Sequence, residues 1–261
     1  KEGYGLSKEG IDHCISQGAK LVITVDSGIV AIDQIAYARS LGLDVVVVDH
    51  HEVGDKLPDA NCIIHSLSTS AAGLSYFFSR EITQKLSPSL EMRRGARGEV
   101  VKEQVNYLDL TALAVICDLV PLTGINRSIA KYGLEELNIT SRPGLLALYE
   151  IAGIKQVTAY HAGFIIGPRL NATGRLTHAM DSLRLLCTNS PEKAQELAKT
   201  LNEINLKRQQ LTETLVQHAM QKLPSPEMRR GAGGEVVGEV GNIIVSADES
   251  YDEGVIGLIA A

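Results

Sequence analysis

The stretch DVVVVDHH, residues 44–51, places four consecutive valines directly before an aspartate and two histidines. A short apolar run without polar alternation is typical of a buried strand in a parallel sheet. LVITV at residues 21–25 is a similar run that ends at Asp26, and NCIIH at residues 61–65 predicts a third, short strand. Helical patterns accompany these strands at residues 30–41 and 71–86. We therefore predict an α/β fold whose parallel sheet is covered by helices on both faces.

The composition is that of a globular protein with one large domain or two smaller ones: 261 residues, of which 44% are hydrophobic and 21% are charged. No apolar run approaches the ~18 residues that a membrane span requires. The four cysteines form no CxxC pair and are predicted to pack as small apolar side chains in a reducing compartment. These features predict a cytoplasmic protein with no membrane partner. The net charge of −6 argues mildly against a nucleic-acid partner, although a local basic groove is compatible with it.

The second half of the sequence turns mostly helical. Helices are predicted at residues 107–117, 126–137 and 144–151. The first of them ends at Asp118. Residues 190–223 form one long helical pattern, which at ~1.5 Å per residue reaches about 50 Å and can connect two domains. NIIVSA at residues 242–247 then predicts a strand that opens the second domain.

One segment occurs twice in the chain. Residues 91–101 are EMRRGARGEVV and residues 227–237 are EMRRGAGGEVV, so the copies differ only at Arg97 and Gly233. Each copy follows a predicted helix in an unrelated context, which indicates duplicated insertions rather than a stacked solenoid repeat. We predict two mobile surface loops, and the alternative is that their paired arginines contact phosphates.

Carboxylate and imidazole side chains gather where the predicted strands end. Asp26 and the triplet Asp49, His50 and His51 follow two strands, and in parallel sheets ligands bind beyond these carboxyl ends. Together with Asp118 they offer the mixed oxygen and nitrogen ligands that suit Mn²⁺ or Mg²⁺. Two such ions sharing a bridging carboxylate would activate a water and clamp a phosphoryl oxygen, which suits phosphoester hydrolysis.

Each of these residues, taken alone, also has a simpler explanation. Asp26 could bond into its own turn, a single histidine after a strand is commonly solvated, and Asp118 could close a loop. Only the combination indicates a metal site.

Six motifs carry a resemblance to a known family. They are EGYGLS at residues 2–7, VDSG at 25–28, VDHH at 48–51, ICDLVPL at 116–122, GPRLNATGR at 167–175 and EGVIGLIAA at 253–261. In this order they resemble the motifs of the DHH phosphoesterase superfamily, and within it those of the RecJ-type single-strand-specific exonucleases. GPRLNATGR is the most specific of the six. The resemblance covers most of the chain outside the two insertions.

The resemblance implies a domain organisation and an activity. A parallel-sheet DHH domain would occupy residues 1–188, with an insertion at about 87–104, and a long connecting helix would occupy 189–223. An inserted loop at 224–241 would precede the start of a truncated DHHA1 α/β domain at 242–261. The family implies two Mn²⁺ or Mg²⁺ ions in the complete protein and 5′→3′ hydrolysis of single-stranded DNA to 5′-mononucleotides, in DNA repair and recombination. Candidate protein partners are a single-strand-binding protein or a helicase.

The resemblance also implies roles for the catalytic residues, which would be Asp26, His50, His51 and Asp118. Asp26 would bridge the two metals, and His50 and Asp118 would be direct ligands. His51 would lie behind the ligands or touch the scissile phosphate. Asp49 would orient the histidines, as carboxylates behind metal ligands do.

GPRLNATGR supplies the residues expected along the nucleic-acid path, namely Arg169, Asn171 and Arg175. Arginine suits this role because its planar fork grips phosphate. The alternative for the two arginines is an ion pair between domains.

Some family features have no counterpart in this sequence. The Asp-x-Asp pair expected before EGYGLS and a Ser-Arg pair expected after Ala261 are absent, Tyr251–Glu253 stands where a histidine is usual, and residues 65–72 are short. We therefore expect the chain to be an incomplete piece of the enzyme that is inactive or very weak by itself. Two alternatives remain open: a DHH phosphodiesterase for oligonucleotides or small phosphoesters, and a non-catalytic DHH scaffold that binds nucleic acid.

Overall fold

The computed structural model describes residues 5–86, 93–94, 100–101, 107–222, 254–255 and 258. Its contacts divide the chain into two compact units. The first comprises Lys1–Thr140 with Gln156–Gly163, and the second comprises Ser141–Lys155 with Phe164–Ala261. The predicted boundary at residue 188 differs from this division, because the second unit groups the helices before that residue with the long helix after it. The domain boundaries themselves remain a prediction.

The first unit is built on a three-stranded parallel sheet. Its strands are β1 (Leu21–Val25), β2 (Asp44–Asp49) and β3 (Cys62–His65), in the order β1-β2-β3. Val25 pairs with Val48, and Asp49 pairs with His65, so the carboxyl ends of the three strands lie level with one another. The three predicted strands and the parallel sheet are confirmed.

Helices surround this sheet and continue the first unit. They are α1 (Lys8–Ser16), α2 (Ile32–Ser40), α3 (Ala71–Leu86), α4 (Leu108–Cys117) and α5 (Gly124–Asn138). Ile11 of α1 and Ile35 of α2 pack with Val45 and Val47 of β2 in a fully buried cluster. Ser7 begins α1, where its hydroxyl accepts a hydrogen bond from the Gly10 amide at 3.0 Å. The alternating valines of β2 therefore supply the core of the unit.

The second unit consists of helices. They are α6 (Pro143–Ala152), α7 (Gly167–Leu176), α8 (Met180–Cys187) and α9 (Pro191–Lys222). A π-helix (His161–Ile166) leads directly into α7, and its residues 164–166 belong to the second unit. α6, α7 and α8 all pack against α9, which buries Ala194, Ala198 and Leu201 on its inner face. With 32 residues, α9 is about 48 Å long, as its sequence predicted.

Three expectations about the fold were incomplete or wrong. The central strand β2 is buried on both faces, but one face of β1, the edge strand of the described sheet, is uncovered, since Leu21, Ile23 and Val25 are exposed there. Cys62 and Cys187 are also exposed rather than packed inside, because one lies on the edge strand β3 and the other ends α8. Helices α1, α7 and α8 were not predicted.

The first inserted segment is not a loop throughout. Arg93–Arg94 (β4) pairs antiparallel with Val100–Val101 (β5). The second copy at residues 227–237, the rest of the loop at 224–241 and the strand predicted at 242–247 lie outside the described residues. Within the described parts of the chain, none of the helices is both long and apolar enough to cross a membrane.

Close packing of α4 on α5 generates the first prediction. A Cβ at Gly133 would lie 2.2 Å from the Ala112 Cβ and 2.6 Å from the Leu108 carbonyl oxygen, so the two helices can approach only because this position lacks a side chain. We expect Gly133→Ala to lower the free energy of unfolding by about 1–3 kcal/mol in urea denaturation, because α5 must move away from α4.

Gly163→Ala is the matched control, since a Cβ there would meet only Ile116 Cγ2, at an ordinary 3.6 Å. Equal stability of the two variants would contradict the close helix contact.

Candidate metal centre

Asp26 lies in a sharp turn at the end of β1. Its amide donates to the Val48 carbonyl oxygen at 2.9 Å, and its φ of 64° lies in the left-handed region. Gly28 has a φ of 113°, and a Cβ there would lie 2.6 Å from Thr24 Oγ1. The VDSG turn therefore depends on glycine, and it leaves the Asp26 side chain 60% exposed at the sheet edge.

Asp49 ends β2 with a carboxylate that is only 1% exposed. One oxygen, Oδ2, accepts from the Ile29 amide at 2.9 Å, which ties β2 to the segment after the VDSG turn. The other, Oδ1, accepts from the His50 amide at 2.8 Å and the His51 amide at 3.3 Å. Burial alone would raise the pKa of Asp49, but these bonds and that from the His51 ring together lower it. Asp49 is therefore held as a carboxylate.

His50 brings three chain segments together. Its Nε2 lies 3.1 Å from Asp26 Oδ1 and 3.5 Å from Asp118 Oδ2. Asp118 follows α4, where its amide still donates to the Ala114 carbonyl oxygen at 2.9 Å. The end of β1, the end of β2 and the end of α4 thus converge on one imidazole.

His51 is fixed by the buried carboxylate beside it. Its Nδ1 donates to Asp49 Oδ1 at 2.7 Å, which leaves Nε2 as the nitrogen available to a ligand. Ligand atoms of Asp26, His50 and His51 all lie within 4.8 Å of one another. The hydrogen bond to Asp49 raises the pKa of His51, and the charges of Asp49, Asp26 and Asp118 add to this against the effect of burial.

The pKa of Asp118 indicates that the site lacks positive charge. Burial raises its pKa and the charge of Asp26 adds to the increase, while His50 and His51 only partly oppose it. A bound cation would favour the ionised carboxylate. The donors, two carboxylates and imidazole nitrogen, also suit Mn²⁺ or Mg²⁺, so the residues present fit such an ion.

The neighbouring thiol does not belong to this set of donors. Burial, aided by Asp118, raises the pKa of Cys117 to about 11, and its Sγ donates to the Ala162 carbonyl oxygen at 3.4 Å. Cys117 is therefore a neutral thiol near pH 7.

Two supporting residues were missed in the sequence. His65 Nε2, at the end of β3, donates to the His51 carbonyl oxygen at 2.7 Å. Asn126, which is 1% exposed, donates to the carbonyl oxygens of Ser68 at 2.9 Å and Pro121 at 3.0 Å, and so holds the loop that follows Asp118. The position of His65 at a strand end was a usable signal. Nothing in the sequence distinguished Asn126 from other helical polar residues.

The residues predicted along a nucleic-acid path lie in the second unit, on α7. Arg169 is half-buried, and Asn171 and Arg175 are exposed. Arg169 donates from Nε to Asn202 Oδ1 at 3.0 Å and from Nη1 to the Ile165 carbonyl oxygen at 2.7 Å. Arg175 donates from Nη1 to the Gly254 carbonyl oxygen at 3.3 Å. Within the described residues, neither arginine forms an ion pair.

The hydrogen bonds of Asp49 predict a pH-dependent loss of stability on mutation. We expect Asp49→Asn to lower the free energy of unfolding by about 2–3 kcal/mol at pH 7, because an amide nitrogen would face amide donors in a buried site. The folded-state pKa of Asp49 lies below the ordinary ~3.9 of the unfolded chain, so its stabilisation is present above that pH and is lost as the pH falls through the folded value. The difference in the free energy of unfolding between the variant and the wild type, measured by urea denaturation, should therefore become smaller below about pH 4.

Asp59→Asn is the control, because it removes an equal charge from an exposed carboxylate near Arg39. We expect it to change the free energy of unfolding by no more than about 0.5 kcal/mol. Equal free energies of unfolding for the two variants would contradict the role of the buried carboxylate. A loss of stability in Asp49→Asn that grows as the pH falls would contradict it as well.

Comparison with known proteins shows what the chain is similar to. Residues 3–115 match the model of the DHH family, N-terminal domain. The chain is 34% identical over 263 residues to the single-stranded-DNA-specific exonuclease RecJ of Bacillus subtilis, covering 100% of this chain and 31% of that protein. It covers less than half the length of each of the curated relatives it matches.

Solved structures agree with this similarity. A crystal structure of exonuclease RecJ bound to manganese has a TM-score of 0.79 and 29% identity, covering 100% of this chain and 62% of that one. RecJ from Thermus thermophilus in complex with Mg²⁺ has a TM-score of 0.54 and 25% identity, covering 82% of this chain and 36% of that one. Over residues 3–115 the chain is therefore similar to the N-terminal domain of the DHH family, and along its length it is similar to the RecJ exonucleases.

Proposed function

We propose that this chain supplies the metal-binding part of a single-stranded-DNA-specific exonuclease that releases 5′-mononucleotides in the 5′→3′ direction. One observation carries the proposal: Asp26 and Asp118, 92 positions apart in the sequence, both lie beside His50 Nε2. The relatives that match the chain are named single-stranded-DNA-specific exonucleases, and solved RecJ structures hold Mn²⁺ or Mg²⁺.

In this proposal, Asp26, His50 and Asp118 hold the metal directly. Asp26 is the most exposed of the three, which suits a bridging carboxylate that is shared with a second ion. Three protein ligands are enough for one ion, and a second ion needs further oxygen ligands. When bound, such ions lower the pKa of a water and neutralise charge on the transferring phosphoryl group.

His51 has a separate role in the proposed reaction. Because Asp49 accepts from its Nδ1, the orientation of the imidazole is fixed, and Nε2 is the ring nitrogen that is left for a ligand. Its raised pKa favours the protonated ring, which donates from Nε2 to a phosphate oxygen of the scissile group. Asp49 positions this ring and does not itself touch the substrate.

The remaining assignments belong to the same proposal. Arg169, Asn171 and Arg175 would lie along the path of the strand, and the DHH domain would end near residue 188, before the connecting helix. Action in DNA repair and recombination, in the cytoplasm, with a single-strand-binding protein or a helicase, is proposed from the resemblance.

Metal binding tests the ligand set without requiring turnover. We expect the chain to bind Mn²⁺ in titrations followed by electron paramagnetic resonance, and we expect Asp26→Asn or His50→Gln to weaken binding on the order of 10–100-fold. Asp55→Asn removes the same charge from an exposed position in the following loop and should leave affinity unchanged. Equal affinity in all four proteins would refute the assignment.

Activity is tested in the full-length protein with 5′-phosphorylated single-stranded oligonucleotides and Mn²⁺. We expect mononucleotides to be released from the 5′ end, and Asp26→Asn to slow release on the order of a thousand-fold, with Asp55→Asn as control. Residues 1–261 alone should be inactive or very weak.

The same assay separates the alternatives. Hydrolysis confined to dinucleotides or to bis-p-nitrophenyl phosphate would favour a small-phosphoester enzyme. Tight DNA binding without turnover by the full-length protein would favour a scaffold.

A further inference from the structure

Leu119 combines an unusual backbone conformation with an exposed apolar side chain. Its φ of 55° lies in the left-handed region, and among the described non-glycine residues only Asp26 shares this feature. Its side chain is 82% exposed, the highest value among the large hydrophobic residues that the structure describes. A leucine is therefore held in a conformation that is unfavourable for it, and burial does little to offset the cost.

The end of α4 accounts for the conformation but not for the side chain. After Asp118, the Leu119 amide donates back to the Ile116 carbonyl oxygen at 3.3 Å, and Val120 packs on a core cluster that includes Val115. Helices commonly end in this way, with one left-handed residue followed by an apolar residue that folds back. Glycine is the residue most often found at the left-handed position. The turn therefore needs the backbone conformation of Leu119, and a glycine would provide it at lower cost.

The backbone of Leu119 is fixed beside the candidate metal centre. Leu119 follows Asp118 directly, so their Cα atoms are about 3.8 Å apart. Asp118 Oδ2 in turn lies 3.5 Å from His50 Nε2. On the other side of Leu119, the buried Asn126 donates to the Pro121 carbonyl oxygen at 3.0 Å. An exposed apolar residue is thus anchored on both sides, next to a ligand of the proposed metal.

The chemistry of a nucleotide indicates what an apolar residue contacts at this position. Phosphoryl oxygens bind to the metal and to polar or charged donors, whereas the faces of the base are the largest apolar surface that a nucleotide offers. A leucine side chain forms no hydrogen bond with a base and accepts all four bases alike. This tolerance suits an enzyme that removes nucleotides in succession.

We propose that Leu119 contacts the base of a nucleotide that adjoins the scissile phosphate. The inference rests on the proposed function for the identity of the substrate. It adds to the metal ligands a residue that binds the apolar part of the substrate, and it explains why leucine rather than glycine follows Asp118.

The test measures kcat/KM of the full-length protein on 5′-phosphorylated oligothymidylate with Mn²⁺. We expect Leu119→Ala to lower kcat/KM about fivefold, which corresponds to the loss of roughly 40 Å² of apolar contact. Leu119→Met keeps a long apolar side chain and should stay within about twofold of the wild type. Ile139→Ala is the matched control, because Ile139 is 75% exposed at the far end of α5, and it should leave kcat/KM unchanged. Equal values for Leu119→Ala and Ile139→Ala would overturn the proposal.

A substrate that lacks one base tests the contact directly. An abasic tetrahydrofuran nucleotide is placed first or second from the 5′ end of the oligothymidylate. The wild type should lose about fivefold in kcat/KM at the contacted position, and Leu119→Ala should lose nothing further there, because the base and the side chain form one contact. Losses that multiply at both positions would rule out a contact with either base.

Thermal stability and metal binding separate this role from a structural one. Leu119→Gly relieves the left-handed strain, so we expect the thermal midpoint of the full-length protein to rise by about 2 °C while kcat/KM falls as in Leu119→Ala. A lower midpoint would show that Leu119 packs within the folded protein, which contradicts the proposal. Leu119→Ala should bind Mn²⁺ with wild-type affinity in the electron paramagnetic resonance titration. Weaker binding would assign the effect to Asp118 and overturn the proposal as well.

Two variants distinguish failure of the proposed function from failure of this inference. Unchanged hydrolysis in Asp26→Asn would contradict the metal assignment, whatever Leu119→Ala does. Hydrolysis that requires Asp26 but keeps its wild-type kcat/KM in Leu119→Ala would overturn the role of Leu119 alone.

Discussion

The buried carboxylate of Asp49 is the constraint on which the candidate metal centre depends. Four N–H groups donate to it: the amides of Ile29, His50 and His51 and the ring of His51. A carboxylate that is 1% exposed is unfavourable unless it is satisfied in this way. Through these hydrogen bonds, Asp49 fixes the end of β2 against the segment after the VDSG turn and selects the tautomer of His51.

Parallel pairing turns this local arrangement into a site. Since β1 and β2 run side by side in register, Asp26 emerges one residue beyond Val25 and close to His50. Asp118 arrives from a different direction, at the end of α4, and Asn126 secures the loop behind it. Asp26 has a left-handed backbone conformation, and its carboxylate and that of Asp118 are open to solvent. Both lie where a cation would offset the repulsion between the two carboxylates.

The two units use charged groups in opposite ways. In the first unit carboxylates gather around imidazoles, an arrangement that attracts cations. In the second, Arg169 on α7 and Arg208 on α9 donate to the amide oxygens of Asn202 and Asn205, so both guanidiniums are held by neutral partners. The overall charge of −6 conceals both, because local fields depend on where charges meet rather than on their sum.

The amino-acid sequence was enough to predict the three strands of the sheet and the acidic and imidazole residues that gather at their ends. Valine runs end at acidic residues, and strands of a parallel sheet end at one edge, so the chain order alone groups Asp26, Asp49 and His50. Which atoms meet depends on the tertiary structure: His50 rather than His51 lies between Asp26 and Asp118, Asp49 is buried, and β1 leaves one face exposed.

The tertiary structure also shows that Arg169 and Arg175 have different hydrogen-bond partners, and that Arg208, which no sequence motif singled out, is held by the buried Asn205. This difference has a physical origin. Periodicity specifies the face of an element on which a residue lies, whereas distances between elements follow from close packing and hydrogen bonding over the whole unit.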